Sequence, residues 1–257
     1  MKVSLIIPTF NRGYLLNKTL TRIKSFDYVP DEIIVVDDGS QDCTKEIAKA
    51  HDVRYIYLNA PYFRGCSIPK NVGIRNATHD VVIFSEPELF WVTPVAQQMV
   101  NYLEENPNQF YSVGTVYKFN SEIPIDNPLQ SLETYRIYDH REFGHDLEFQ
   151  IMQMTGWQAL WSWGILKEHL YAVGGYDEEM ATSWGFDDID ISTRLRCNRV
   201  HQRIQTDMKA IHMYHDKVPS HLRDSWAINE QIFLDKNTDV NPETIVSNRG
   251  KEWGVIA

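Results

Sequence analysis

The chain has 257 residues, of which 43% are hydrophobic and 23% are charged, so it can bury the core of one large domain without disulfides or a structural metal. Its formal net charge of -10 argues against a nucleic-acid binder, which needs a basic face for phosphates. A nucleotide ligand remains compatible with this charge, because a bound cation and a few basic side chains can neutralise a diphosphate locally.

The cysteines and the apolar runs bear on where the protein works. Cys43, Cys66 and Cys197 are far apart and lack zinc-site spacing, which predicts reduced thiols in a cytoplasmic protein. The apolar stretch at residues 3–7 is too short for a signal peptide or anchor. Since no later run approaches about 18 apolar residues, the sequence predicts no membrane span.

The first half alternates short apolar runs with amphipathic segments. The apolar runs predict buried strands at residues 3–7, 33–36, 53–58 and 81–84. Predicted helices follow them: one with a face of Leu16, Leu20 and Ile23, one capped by Ser40 and continuing through Ala48, one over 68–76, and one from Thr93-Pro94 to about residue 105. This order predicts an α/β fold with a mainly parallel central sheet flanked by helices, with residues 1–110 as its first half.

The second half is predicted to be a smaller region at residues 111–218. Residues 120–150 are polar and irregular, which predicts a long loop, and residues 155–163 contain three tryptophans. Residues 177–190 carry six carboxylates and no Lys or Arg. An amphipathic helix and a strand pair near 203–214 should follow, and residues 219–257 are interpreted as a C-terminal tail that could act as a lid.

Ligands of parallel α/β sheets bind beyond the carboxyl ends of the strands. This rule selects residues 8–12, 37–40 and 85–89. The second of these lies within IIVVDDGS at residues 33–40, where a carboxylate after a buried strand could accept hydrogen bonds from a ribose or a base. An ordinary Asp-Gly-Ser turn explains the same letters equally well.

Two further clusters could supply metal ligands. Glu86 and Glu88, in SEPE after the fourth predicted strand, could meet a divalent cation, or could simply lie in a solvated loop. His212 and His215 end a later predicted strand, and either could add an imidazole ligand, although a packed or surface histidine is more common.

The motif WGFDDID at residues 184–190 places carboxylates at a predicted helix start. Such a carboxylate could act as a general base towards an acceptor hydroxyl. Two structural explanations compete: acidic side chains favour helix N-termini, and Asp190 is spaced to pair with Arg194. Neither of them explains Trp-Gly ahead of adjacent carboxylates.

Five motifs in order resemble those of family 2 glycosyltransferases. They are LIIPTFNR at 5–12, IVVDDGS at 34–40, KNVGI at 70–74, GGYDE at 174–178 and WGFDDID at 184–190. The last two resemble the acceptor-side motif of the galactosyltransferase-like and chondroitin-polymerase-like branches, and the resemblance spans residues 3–217. It implies a GT-A-like fold and an inverting hexosyltransferase that uses a nucleoside-diphosphate sugar, with UDP as the expected nucleotide. It also implies that residues 1–110 are the nucleotide-sugar-binding half and residues 111–218 the acceptor-binding and catalytic half.

The resemblance also implies roles for individual residues. The donor would be bound by Pro8, Phe10, Arg12, Asp38, Lys70 and Glu86. Asp188 matches the family's catalytic base, and Asp187 is the acidic residue before it. The metal, Mn²⁺ or Mg²⁺, would be held by Glu86, Glu88 and either His212 or His215.

One departure and several alternatives stay open. Glu-Pro-Glu replaces the Asp-x-Asp expected in the family, which leaves metal dependence open. On the acceptor side we place Trp163, Trp184 and Gly185, and Trp157 and Trp161 could also stack on sugars, although tryptophans pack in cores as readily. The acceptor could be a glycan, a lipid-linked saccharide or a protein. A nucleotidyltransferase would be expected to have a Gly-rich phosphate loop near residues 8–13, and a non-catalytic sugar-nucleotide or glycan-binding module is favoured only by Glu-Pro-Glu.

Overall fold

The computed structural model describes residues 1–60, 65–118, 160–183, 185–215, 225–237 and 246–256. Within them, one mixed sheet of eight strands has the order β3-β2-β1-β4-β7-β6-β8-β5. The strands are β1 (Val3–Thr9), β2 (Glu32–Asp37), β3 (Arg54–Tyr57), β4 (Val81–Phe84), β5 (Leu89–Trp91), β6 (Gln109–Lys118), β7 (Trp163–Leu166) and β8 (His201–His212).

Helices cover both faces of this sheet. They are α1 (Gly13–Ile23), α2 (Thr44–Ala50), α3 (Ser67–Asn76), α4 (Val95–Glu105), α5 (Lys167–Ala172), α6 (Asp187–Cys197) and α7 (Trp226–Asn237), with a 3₁₀ helix at Glu178–Thr182. Strand β1 shows why the sheet is buried on both sides. Its alternate residues Leu5 and Ile7 enter one hydrophobic core, and Ile6 enters the other.

The four predicted strands are present, and the first half is parallel as expected. β1 pairs in parallel with β2 and β4, and β2 pairs in parallel with β3. The other half is mixed: β7 is antiparallel to β4 and β6, whereas β6 and β8 are parallel. Both halves of the chain therefore contribute strands to one sheet.

Three local predictions differ from the structure. Residues 203–214 do not form a strand pair, because β8 is one continuous strand of 12 residues that pairs along its length with β6. Ser40 does not cap α2, which begins at Thr44, where Asp42 accepts a hydrogen bond from the Thr44 backbone N–H. Pro94 occupies the N-cap of α4 instead of its first turn.

Some predictions fall outside the described residues, namely the loop at 120–150 and the side chains of Trp157 and Trp184. Cys43, Cys66 and Cys197 are free thiols. Within the described ranges, none of the helices combines the length and apolar character that crossing a bilayer requires.

Candidate active site

The turns after β1 and β2 are tied to each other at the edge of the sheet. The Asn11 backbone N–H donates to Ser40 Oγ at 2.7 Å, and the Gln41 backbone N–H donates to Asn11 Oδ1 at 2.8 Å. Gly39 between them has φ +100°, and a Cβ there would lie 2.2 Å from the Ala60 carbonyl oxygen. A residue with a side chain cannot replace it without moving the backbone after β3.

The adjacent carboxylates of this turn have different environments. Asp37 Oδ1 accepts from the Ser40 backbone N–H at 2.7 Å, and Asp37 Oδ2 accepts from the Tyr55 hydroxyl at 2.6 Å. Burial, with the bond to Asp37, raises the pKa of Tyr55. Asp38 is 4% exposed, and its backbone N–H donates to the Thr9 carbonyl at 2.8 Å. Both Asp37 oxygens thus accept hydrogen bonds within the protein, one from the turn and one from β3. The role of donor ligand remains a prediction for Asp38.

The other predicted donor residues follow β1 into the site. Pro8 is a buried residue of β1 in register with Val36, and Phe10 is partly buried just beyond the strand. The Arg12 side chain reaches the end of β8, where its Nη2 lies 3.3 Å from His215 Nδ1. Arg12 therefore lies next to the predicted metal ligands.

The Glu-Pro-Glu segment forms the turn between β4 and β5. The Thr19 hydroxyl of α1 donates to the Pro87 carbonyl at 2.7 Å and thereby connects the turn to α1. The Met213 backbone N–H donates to the Glu88 carbonyl at 2.8 Å, just beyond the β5–β8 pairing. The end of β8 is thereby fixed beside Glu88.

This pairing brings three of the four predicted metal ligands together. One ligand atom each from Glu88, His212 and His215 lies within 4.8 Å of the others. Glu88 Oε1 is 3.6 Å from His215 Nε2, and the two imidazole centroids are 5.2 Å apart. Both histidines converge, so the two alternatives predicted from the sequence are both in place. The carboxylate suits Mn²⁺ and Mg²⁺, and the two imidazoles favour a transition-metal ion over Mg²⁺.

Glu86 is the fourth predicted ligand and is not one of the three residues of this cluster. Burial raises the pKa of Glu86 to about 8, and Glu88 and Asp188 add to the rise, while Lys70 and the Ser162 backbone N–H oppose it. Its buried Oε2 has no hydrogen-bond partner among the described residues. The pKa of Glu86 therefore responds both to Glu88 of the metal-ligand cluster and to Asp188.

Lys70 of α3 forms ion pairs with the two carboxylates that begin α6. Lys70 Nζ is 3.0 Å from Asp188 Oδ1 and 3.4 Å from Asp187 Oδ2, and it lies 4.5 Å from the ring centroid of Tyr176. The Lys70 side chain is only 5% exposed, whereas those of Asp187 and Asp188 are 17% and 28% exposed. The ammonium is thus a buried counter-charge beneath a partly open carboxylate pair.

Both partners of this contact have shifted pKa values. Desolvation raises the pKa of Asp188 to about 6 against the pull of Lys70, and repulsion from Asp187 adds to the rise. Burial alone would lower the pKa of Lys70, but Asp188 and Asp187 hold it well above its usual value. A carboxylate with a raised pKa in a partly open site has the properties of a general base. Lys70 contacts the predicted base in this structure, a role that the sequence did not suggest.

Residues 160–162 contact both groups; the sequence singled out only Trp161 among them, as a possible sugar-stacking residue, and missed Leu160 and Ser162. The Leu160 backbone N–H lies 3.5 Å from Asp188 Oδ2, the Trp161 ring is 5.1 Å from that of His212, and the Ser162 backbone N–H donates to Glu86. Three successive residues therefore contact the base, the metal-ligand cluster and the buried glutamate. The tryptophan-rich stretch was the only available signal, and it does not indicate backbone contacts.

The predicted role of Trp163 in sugar stacking is wrong. Its side chain is 0% exposed and stacks on Phe84 with ring centroids 4.8 Å apart, so neither face is open to a ligand.

Gly185 lies beside Phe186 ahead of α6 with φ +86°. The Asp190–Arg194 pairing is confirmed, with Arg194 Nε 2.9 Å from Asp190 Oδ2 in a buried contact.

The family of the chain follows from comparison with known proteins. The sequence profile of Glycosyl transferase family 2 matches residues 4–167, more than half of the chain. The chain belongs to this family. This membership argues against the nucleotidyltransferase alternative.

Curated relatives share this assignment at low identity. Validoxylamine A glucosyltransferase of Streptomyces hygroscopicus subsp. limoneus is 25% identical over 96% of this chain and 60% of its own length. Chondroitin synthase of Pasteurella multocida is 26% identical over 75% of this chain and 23% of its own length. The chain therefore spans about 60% or less of the length of these two relatives.

Solved structures with the GT-A fold superpose on most of the chain. Residues 1–349 of S. aureus TarS in complex with UDP give a TM-score of 0.65 at 16% identity, covering 95% of this chain and 68% of that one. Mannosyltransferase PcManGT from Pyrobaculum calidifontis, in complex with GDP-Man and Mn²⁺, gives 0.57 at 19% identity, covering 91% and 61%. The fold is the GT-A fold predicted from the sequence motifs.

Proposed function

We propose that this family 2 glycosyltransferase transfers a hexose from a UDP-sugar to an acceptor hydroxyl with inversion of the anomeric centre. One observation carries the proposal: residues 160–162 contact both the Glu88–His212–His215 cluster and Asp188. Leaving-group and acceptor chemistry can therefore take place in one cleft at the carboxyl ends of the strands.

On the donor side, the predicted ligands surround the tied turns after β1 and β2. Asp38 would accept hydrogen bonds from the nucleoside, with Pro8 and Phe10 beside it, and Arg12 would meet the diphosphate. Support for UDP comes from TarS in complex with UDP, and from a glucosyl-3-phosphoglycerate synthase solved with Mn²⁺ and UDP at a TM-score of 0.56.

The residues present fit a divalent cation. Glu88, His212 and His215 offer a carboxylate and two imidazoles within 4.8 Å, and Glu86, two residues before Glu88 in the same turn, has a buried Oε2 without a partner among the described residues. A cation bound there would neutralise charge on the departing diphosphate. The longer glutamate side chains and the paired histidines thus provide ligands where the family has Asp-x-Asp.

In the proposed reaction, Asp188 accepts the proton of the acceptor hydroxyl as the acceptor oxygen attacks the anomeric carbon. The bond from that carbon to the diphosphate oxygen breaks with its electron pair on UDP, and attack from the opposite face inverts the centre. Lys70 holds Asp188 in place and favours its ionised form before the proton arrives. Asp187, held by the same ammonium, would bind the acceptor.

A nucleotide-release assay tests the proposal. We expect the protein with Mn²⁺ to release UDP from at least one member of a panel of UDP-sugars, slowly by hydrolysis and faster with a suitable glycan, lipid-linked or protein acceptor. Asp188→Asn should reduce release by about 10²-fold, the usual scale for a general base. Asp235→Asn, which changes an exposed carboxylate of α7, is the matched control. Absence of nucleotide release from UDP-, GDP- and other nucleotide sugars would overturn the proposal.

A further inference from the structure

Two successive left-handed residues precede the helix that carries the carboxylate pair. Gly185 has φ +86° and Phe186 has φ +63°, a conformation that is unfavourable for a residue with a side chain. The Phe186 carbonyl accepts the Asp190 backbone N–H at 2.8 Å, so this turn starts α6. Asp187 and Asp188 follow directly, and the direction of their side chains depends on it.

Helix α7 contacts this turn through one face. Trp226, Asn229 and Phe233 are spaced i, i+3 and i+7, which places them on the same side of the helix. The Phe186 ring stacks on Trp226 at 5.4 Å between centroids and lies 5.8 Å from Phe233. The aromatic contacts hold the Phe186 side chain, and α7 thereby restrains the strained residue.

Asn229 supplies the polar part of the same restraint. It is 1% exposed, and its Nδ2 donates to the Gly185 carbonyl at 2.7 Å and to the Met180 carbonyl at 3.0 Å. Two carbonyl acceptors require the amino side of the amide, so its orientation is fixed by chemistry. Asn229 therefore connects the 3₁₀ helix to the turn before α6.

We propose that Asn229 is a positioning residue for the carboxylate pair, acting through the Gly185–Phe186 turn. The inference rests on the proposed function, since Asn229 would set the orientation of the Asp188 side chain. Asn229 touches neither carboxylate in this structure and lies on a helix that the sequence assigned to a tail. Misplacing a catalytic group by about 1 Å can cost about 10²-fold in rate, so loss of this contact should affect turnover more than donor binding.

The test compares three variants by two independent measurements. Asn229→Leu removes both donors without adding charge, Trp226→Ala removes the stacking partner, and Gln231→Ala removes an exposed amide of α7 that donates to Asp235 of the same helix. Hydrogen exchange of residues 185–192, followed by mass spectrometry, reports on the turn and the start of α6. UDP titration and UDP release from the donor panel, both with Mn²⁺, report on binding and turnover.

We expect Asn229→Leu to accelerate exchange in residues 185–192 and to lower kcat at least 10-fold, with UDP affinity within about twofold of the parent. Trp226→Ala should show smaller changes in the same direction and serves if Asn229→Leu does not fold, while Gln231→Ala should match the parent. Unchanged exchange in both variants, or a loss of UDP affinity as large as the loss of kcat, would overturn the assignment. If the parent turns over no donor, the proposed function fails, and the exchange measurement still decides whether Asn229 sets the turn.

Discussion

Removing the Lys70 ammonium should destabilise the protein through the carboxylates that it leaves behind. Lys70→Met keeps most of the aliphatic stem, and it deletes the charge that lies 3.0 Å from Asp188 and 3.4 Å from Asp187. Breaking a buried ion pair from one side costs about 3–5 kcal/mol. Because the two carboxylates are 28% and 17% exposed, water can reach them, and we expect about 3 kcal/mol, at the lower end, at pH 7.

The loss should depend on pH with a defined sign. The folded-state pKa of Asp188, about 6, lies above its ordinary value of 3.8. The protonated form is therefore favoured by folding, and the stabilisation from this group is present below about pH 4 and lost as pH rises through about 6. Without Lys70 the pKa of Asp188 rises further, so the variant should differ from the parent less at pH 4 than at pH 7.

Guanidinium denaturation of the metal-free protein at both pH values measures this difference. Lys251→Met is the matched control, since Lys251 is 65% exposed and pairs at 2.9 Å with Glu179, which is itself 51% exposed. Such surface pairs contribute about 0–1 kcal/mol. A free-energy loss in Lys70→Met no larger than in Lys251→Met, or equal losses at pH 4 and pH 7, would refute the reasoning.

Four further outcomes follow from the site. The kcat/KM of the parent should fall as pH drops below about 6, because Asp188 must be ionised to accept a proton, and a flat profile between pH 5 and 8 would contradict this. Glu88→Gln should abolish any tightening of UDP binding by Mn²⁺ in a calorimetric titration. Asp38→Ala should weaken UDP binding by about 1–3 kcal/mol, and unchanged affinity in the folded variant would remove Asp38 from the donor site. Asp190→Asn should lower the free energy of unfolding by about 3 kcal/mol, since it leaves Arg194 buried without its counter-charge, with little change in kcat of the folded protein.

The parallel half of the sheet was readable because its strands are continuous apolar runs. Strands β1 and β2 are buried on both faces, so residues 33–36 are all apolar and only the small, buried Ser4 interrupts the run at residues 3–7. Strand β6 was missed because Gln109–Lys118 mixes aromatic, polar and glycine residues. It is stabilised by pairing with β7 and β8, far along the chain, and local pattern does not report such pairing.

The identities of the candidate site residues were easier to predict than their partners. The family resemblance named Glu88, His212 and His215 as candidate metal ligands, and the structure brings all three together. The contact between Lys70 and Asp188 joins residues 118 positions apart, on α3 and at the start of α6, and a local sequence pattern does not report such a contact. Trp163 failed as a sugar-stacking residue because composition cannot tell a core indole from an exposed one.

The most direct test of the proposed chemistry is UDP release from the UDP-sugar panel, measured side by side for the parent and Asp188→Asn with Mn²⁺ and with EDTA. The proposal predicts release by the parent that EDTA suppresses, and an Asp188→Asn variant that binds UDP as tightly as the parent yet turns over about 10²-fold more slowly. Equal turnover by the two proteins would remove Asp188 as the base. Release that EDTA leaves intact would contradict the metal role of Glu88, His212 and His215.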